Sequence, residues 1–192
     1  MKISAEWYRQ TDVVHIARDL IGMRLHSRIG GFHCEGIIVE TEAYSQTERG
    51  CHAYQGKRTK RNSVMFDAGG HAYIYRCYGI HNLFNIVTHR AGYAEAVLIR
   101  ALEPRSGLPI MMNRALTERP DRITSGPGKL TRAMGIDLSL NGVSLCGRQI
   151  WICDEGQRPP VQVSTRIGIA YAGQDALLPW RFSWRGNEWV SR

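Results

Sequence analysis

The chain lacks most of the short signatures that announce a chemistry on their own. Its 192 residues hold five cysteines, Cys34, Cys51, Cys77, Cys146 and Cys153, and no two of them form a C-x-x-C pair. An odd count without that spacing argues against a disulfide framework and against a thiolate zinc site. Seven histidines are present, yet there is no H-E-x-x-H and no H-x-E joined to P-C-x-x-C, so zinc protease and zinc deaminase chemistry lose support. No metal and no cofactor are therefore expected. Ser125-Gly126-Pro127-Gly128-Lys129-Leu130 resembles a phosphate loop only superficially. The first glycine is missing, and Leu130 stands where magnesium binding needs Ser or Thr. A G-x-S-x-G nucleophile elbow is missing too. Met1–Tyr8 has no apolar stretch of signal-peptide type, and no run approaches membrane-spanning length. The expectation is a cytoplasmic protein with no membrane contact.

What is present is basic charge. Lys and Arg number 25 against 17 Asp and Glu, a formal net charge of +8. Such a balance favours a polyanionic partner, because Lys and Arg contacts to phosphate release counterions. The densest cluster is Lys57-Arg58-Thr59-Lys60-Arg61-Asn62. Lys57, Arg58, Lys60 and Arg61 are candidates for contact with a nucleic-acid backbone.

At this length one domain spanning residues 1–192 is expected. Val13, Ile16, Ala17, Leu20 and Ile21 fall at helical spacing before Gly22. From Arg24 the pattern changes to two strands joined at Gly30-Gly31, the second running to Tyr44. Further strands are predicted at 71–78, 84–88, 97–102, 149–153, 162–169 and 180–184, with short helices at 109–116 and 129–134. Adjacent strands with peripheral helices give an α+β fold with a curved, largely antiparallel sheet.

The second strand carries the best catalytic candidates. Strict alternation puts Glu40, Glu42 and Tyr44 on one face and Ile37, Val39 and Ala43 on the other. Two carboxylates in an apolar strand are costly unless they are paired, solvated or functional, and one of them could act as a general base. A structural ion pair accounts for them equally well. In 71–78, Tyr73 and Tyr75 share a face and alternation turns Tyr78 to the opposite one, just before a hairpin tip at Gly79-Ile80-His81-Asn82. An aromatic at such a tip can wedge into a DNA minor groove, and aromatic walls can stack an extruded base; packed core tyrosines are the plainer alternative.

Several segments, in order, carry a resemblance. They are Ala17-Arg18-Asp19-Leu20-Ile21-Gly22, Ile38-Val39-Glu40-Thr41-Glu42-Ala43-Tyr44, Tyr78-Gly79, Leu98-Ile99-Arg100-Ala101-Leu102-Glu103-Pro104 and Gly126-Pro127-Gly128-Lys129-Leu130. Together they resemble the alkyladenine (3-methyladenine) DNA glycosylase family, as a bacterial member, over almost the whole chain. The resemblance implies a fold like the C-terminal domain of methionyl-tRNA formyltransferase. It also implies a monomer that binds duplex DNA and hydrolyses the N-glycosidic bond of a damaged purine without a cofactor. By the same resemblance Glu42 is the water-activating base. Arg100 holds the water or a neighbouring phosphate, and the Ile167 carbonyl helps to position that water. Tyr44, His52 and Tyr75 line the base pocket, Asn85 sits near the guanine 2-amino group, and Tyr78 is the wedge. The chain departs from the family pattern at Lys60 and at Ile80-His81. Two other readings stay open: a glycosylase that also nicks DNA through a Schiff base on Lys129, and a non-catalytic basic module that only binds nucleic acid.

Overall fold

The longest strand organises everything else. In the computed structural model, which describes residues 1–191, β2 (Phe32–Ser45) pairs antiparallel with three others. It meets β1 (Arg24–Ile29) along its first half, β8 (Arg181–Trp184) at Glu40–Glu42, and β5 (Glu95–Ser106) from Glu35 onward. With β3 (Ala72–Cys77), β4 (His81–Val87), β6 (Ile150–Cys153) and β7 (Val161–Ser164) they form one eight-stranded sheet. The strand path is β3-β4-β5-β2-β1-β6, with β8 branching from β2 and β7 pairing β8. Every strand pairing is antiparallel, and the class is α+β as expected. The β1–β2 turn is Gly30-Gly31, with φ of 63° and 81°. Both residues lie in the left-handed region, the geometry that lets a two-residue hairpin follow the strand twist.

One face of the sheet packs on helices. Ile16 and Ala17 from α2 (Val13–Asp19) with its C-cap Leu20, Met111 from α3 (Leu108–Ala115), and Leu130, Ala133 and Met134 from α4 (Pro127–Met134) join Leu25, Ile38, Ala43, Ile99 and Leu102 in the main core. Asp12 caps α2 through the His15 N–H at 2.9 Å, and the Thr41 hydroxyl donates to the Ala17 carbonyl at 2.7 Å, fastening that helix to β2. A short N-terminal helix, α1 (Ala5–Tyr8), is too brief to show a periodic pattern, and the sequence reading missed it.

The expected alternation along β2 is broken. The β2–β5 register passes from Ile38↔Leu102 to Glu40↔Ala101 and then to Thr41↔Ile99. Val39 is thus an extra residue on β2, and Arg100 an extra residue on β5. Each bulge reverses the parity of its strand. Ile38 and Ala43 share the main core, whereas Ile37 and Val39 pack with Ala101 beneath Trp184, Trp189 and Val190. Ile37 and Val39 therefore lie on the carboxylates' side of the sheet, not opposite it as strict alternation predicts. The paired bulges aim Glu40 and Arg100 at the same space.

Several strand ends also differ from expectation, and β4 starts at His81 rather than 84, so His81 and Asn82 belong to the strand and not to the hairpin tip. Strand β3 stops at Cys77, and Tyr78 occupies the turn with φ of 49°, so the parity that opposed it to Tyr75 does not apply. Strand β7 ends at Ser164 rather than 169, because Arg166 and Ile167 leave the ladder to bind side chains of β2 and its following loop. Strand β5 is longer than its apolar stretch, since Glu95 extends it at one end and Glu103–Ser106 at the other, where only Arg105 and Ser106 are exposed.

Candidate active site

On the sheet face opposite the main core, β3, β4, β5 and the loops 46–66 and 165–171 enclose a cavity of about 550 Å³. That lies within the usual range for small-molecule sites, about 300–1,000 Å³. Tyr44, His52, Tyr73, Tyr75, Asn85, Arg100 and Ile167 all line it, and Tyr78 stands at its edge. Six segments, β2, β3, β4, β5 and the two loops, thus bring together every pocket residue that the resemblance implied.

Glu42 lies immediately behind this wall and is fully buried. Its Oε1 accepts from the Ile167 N–H at 2.8 Å and lies 3.3 Å from Arg100 Nη1; its Oε2 accepts from the Tyr44 hydroxyl at 2.7 Å. Ile167 therefore reaches the carboxylate through its amide N–H, a contact separate from the water-positioning role expected of its carbonyl. Among the described residues, Oε2 keeps one acceptor position without a protein donor.

Glu40 is also fully buried and takes four donors, three of them on Oε1 and one on Oε2. It accepts from Arg100 Nε at 2.9 Å, Arg181 Nε at 2.7 Å, the Ser191 N–H at 2.8 Å and the Ser191 hydroxyl at 2.9 Å. Burial pushes its pKa up, but Arg100, both Ser191 donors and Arg181 outweigh burial and hold it below the ordinary carboxylate value. Arg100 bridges the two carboxylates and is 7% exposed. Burial opposes its charge, yet Glu42 and Glu40 together raise its pKa. The ordinary reading of a buried carboxylate as one half of a structural ion pair fits Glu40 well. Glu42 has one ion-pair partner against two for Glu40, and its three partners all line the cavity.

The walls are aromatic. His52 stacks edge-on to Tyr75 with centroids 4.5 Å apart, and its Nδ1 lies 2.9 Å from the Tyr73 hydroxyl. Desolvation, then the Arg61 charge, lower its pKa, so the ring is neutral at neutral pH. For Tyr44, burial and the Glu42 carboxylate raise the phenol pKa well above its ordinary value, keeping the proton on the donor. The Asn85 amide donates to the Tyr73 carbonyl at 3.1 Å.

The rim is different. Tyr78 is 88% exposed and Ile80 75% exposed at the β3–β4 turn. Lys57, Arg58 and Lys60 are exposed as expected. Asn62 shapes their loop, accepting from the Thr59 N–H and donating to the His52 and Lys57 carbonyls. Arg61 is exposed with them and also reaches the cavity. Its guanidinium sits over the Tyr75 ring at 5.3 Å and donates to the Arg76 carbonyl, so it belongs to the cavity wall. Lys129 lies on α4 and lines other depressions, not the aromatic cavity.

Sequence reasoning missed four supporting residues. Arg166 is fork-bonded to Glu48 at 2.8 Å through both terminal nitrogens, donates to the Ala43 carbonyl, and lies over Tyr44 at 4.8 Å. It fixes the Ile167 amide and Tyr44 at once. Glu48, Arg181 and Ser191 act likewise, and nothing in their local sequence signals a partner so far along the chain.

A profile of the methylpurine-DNA glycosylase (MPG) family matches residues 6–188. The chain belongs to that family. Proteins named "Putative 3-methyladenine DNA glycosylase" align with it from end to end. The one from Carboxydothermus hydrogenoformans is 46% identical over 195 residues, covering 100% of both chains, and that from Methanoculleus marisnigri is 44% identical over 197 residues, again covering 100% of both. The Chlamydia felis relative is 41% identical over 92% of each chain. Family membership makes the protein a hydrolase of the DNA glycosylase class, acting in DNA repair. No helix among the described residues is long and apolar enough to cross a membrane.

Proposed function

We propose that the chain is a monofunctional glycosylase of base excision repair. It acts as a cytoplasmic monomer on duplex DNA and removes alkylated or deaminated purines of the 3-methyladenine, 7-methylguanine, hypoxanthine and ethenoadenine class. The observation that carries this reading is a buried carboxylate, Glu42, whose three partners all face one aromatic-walled cavity. A purine rotated out of the duplex stacks between Tyr44, His52 and Tyr75, with Asn85 beside its edge, and Tyr78 fills the gap in the helix. Water donates a proton to the free lone pair of Glu42 Oε2 as its oxygen attacks C1′. The C1′–N bond breaks, its electron pair leaves with the purine, and the products are a free base and an unbroken abasic strand. Positive charge on an alkylated purine makes it a good leaving group, and the carboxylate stabilises oxocarbenium character at the sugar.

Arg100 is already committed to two carboxylates, which supports a positioning role for it: it holds the Glu42 carboxylate in place. Lys57, Arg58, Lys60 and Arg61 meet the DNA backbone. The deciding experiment incubates the protein with duplexes that each carry one such lesion. Release of free base with no strand break before alkali treatment is the expected result. A break without alkali would favour the Lys129 Schiff-base route, and tight binding with no release would favour a binding module.

A further inference from the structure

Away from the cavity, the β1–β2 hairpin presents His26, His33 and Glu35 on the solvent-side face of the sheet. We propose that these three residues bind one divalent transition-metal ion of the zinc class. His26 Nδ1 lies 3.2 Å from His33 Nε2 and 3.6 Å from Glu35 Oε2, and one ligand atom from each residue falls within 4.8 Å of the other two. Two nitrogen ligands on a tetrahedral ion, each about 2.0–2.1 Å from the metal, sit about 3.3 Å apart. The histidine pair is already at that spacing. Two imidazoles and one carboxylate suit zinc, cobalt, nickel or copper rather than magnesium or calcium.

The surroundings hold the ligands still. The His26 and His33 rings are nearly coplanar in orientation, 5° apart, and Trp151 stacks on both, its centroid 4.9 Å from that of His26. His26 is 8% exposed and its Nε2 has no partner among the described residues, so Nδ1 carries the whole polar satisfaction of the ring. Arg24 pairs with the other Glu35 oxygen, but Glu155 also binds Arg24 at 2.8 Å, leaving two carboxylates around one guanidinium. Arg28 and Lys2 are drawn over the Trp151 ring, which offsets part of their repulsion of a cation. Motif reading missed the group because its ligands lie on paired strands across a turn, not at helical or C-x-x-C spacing.

The test uses the full-length protein, stripped with chelator and kept reduced. It is titrated with Zn²⁺ by calorimetry and with Co²⁺ by visible absorption. One ion per chain is expected, with Mg²⁺ failing to compete and a higher melting temperature once Zn²⁺ is bound. His33 is only partly buried, so His33→Gln should keep the fold and weaken Zn²⁺ binding by about a hundredfold, the upper end of what outer-sphere changes alone cause. Glu35→Gln should weaken it as well, while Cys153→Ser should not. Absence of binding at micromolar Zn²⁺ overturns the proposal. So does equal affinity in a folded His33→Gln protein, or loss of binding in Cys153→Ser.

Discussion

The carboxylate centre and the rim of the cavity are built on opposite terms. Around Glu40 and Glu42 nearly every polar atom is held by the chain itself: Arg100, Arg181, Ser191, Ile167 and Tyr44 converge from five segments. At the rim, Tyr78, Ile80, Lys57, Arg58 and Lys60 have few internal contacts and stand in solvent. A preorganised base loses little to reorganisation when charge develops beside it, so the rigid part belongs where the bond breaks. The exposed part gains its contacts only when a polyanion arrives. Tyr78 even holds a left-handed backbone conformation, which costs a non-glycine residue about 1–3 kcal/mol and points to use rather than stability. Substitutions in the centre should therefore couple folding to activity, whereas those on the rim should separate them.

The largest effect on folding is expected for Arg100→Ala. It leaves Glu40 and Glu42 buried with half their compensation, and loss of one partner from a buried ion pair costs about 3–5 kcal/mol. Denaturant unfolding reads this directly, and a near-wild-type midpoint would mean that Arg100 serves the substrate rather than the carboxylates. An intermediate outcome, confined to activity, is expected for Tyr78→Ala. It should melt like the parent protein yet lose excision most on stably paired lesions and least on mismatched ones, where rotating the nucleotide costs less. Replacement by Leu or Trp should restore part of the loss. A large drop in melting temperature would instead tie Tyr78 to the fold. The smallest effect belongs to single neutralisations at Lys57, Arg58 or Lys60. Each should reduce the salt dependence of DNA binding by about one unit of slope, equally on damaged and intact duplex. Charge reversal of all three with no change at low salt would make the loop a merely solvated face.

Much of this contrast was legible in the residues. Periodicity found α2, the Gly30-Gly31 hairpin and the long strand bearing Glu42 and Tyr44, and the motif resemblance named the cavity wall. What escaped is what depends on register. Alternation assumes unbroken pairing, and the bulges at Val39 and Arg100 invalidate it over the few residues that matter most. Tyr78 was read as strand because its backbone conformation is set by the turn and not by its own preference. Arg166, Arg181 and Ser191 escaped because a buried carboxylate recruits partners by position in space. The same limit hid His26, His33 and Glu35, adjacent only once β1 and β2 pair.

The central claim is that Glu42, and not the neighbouring Glu40, takes the proton from water. Single-turnover excision by Glu42→Gln tests it most directly, because the amide preserves shape but cannot accept that proton. The expected result is a folded protein that still binds lesion DNA while base release falls by a factor of about 10²–10⁴, the usual contribution of a positioned general base. Excision at the parent rate by that variant would contradict the account and remove Glu42 from the chemistry.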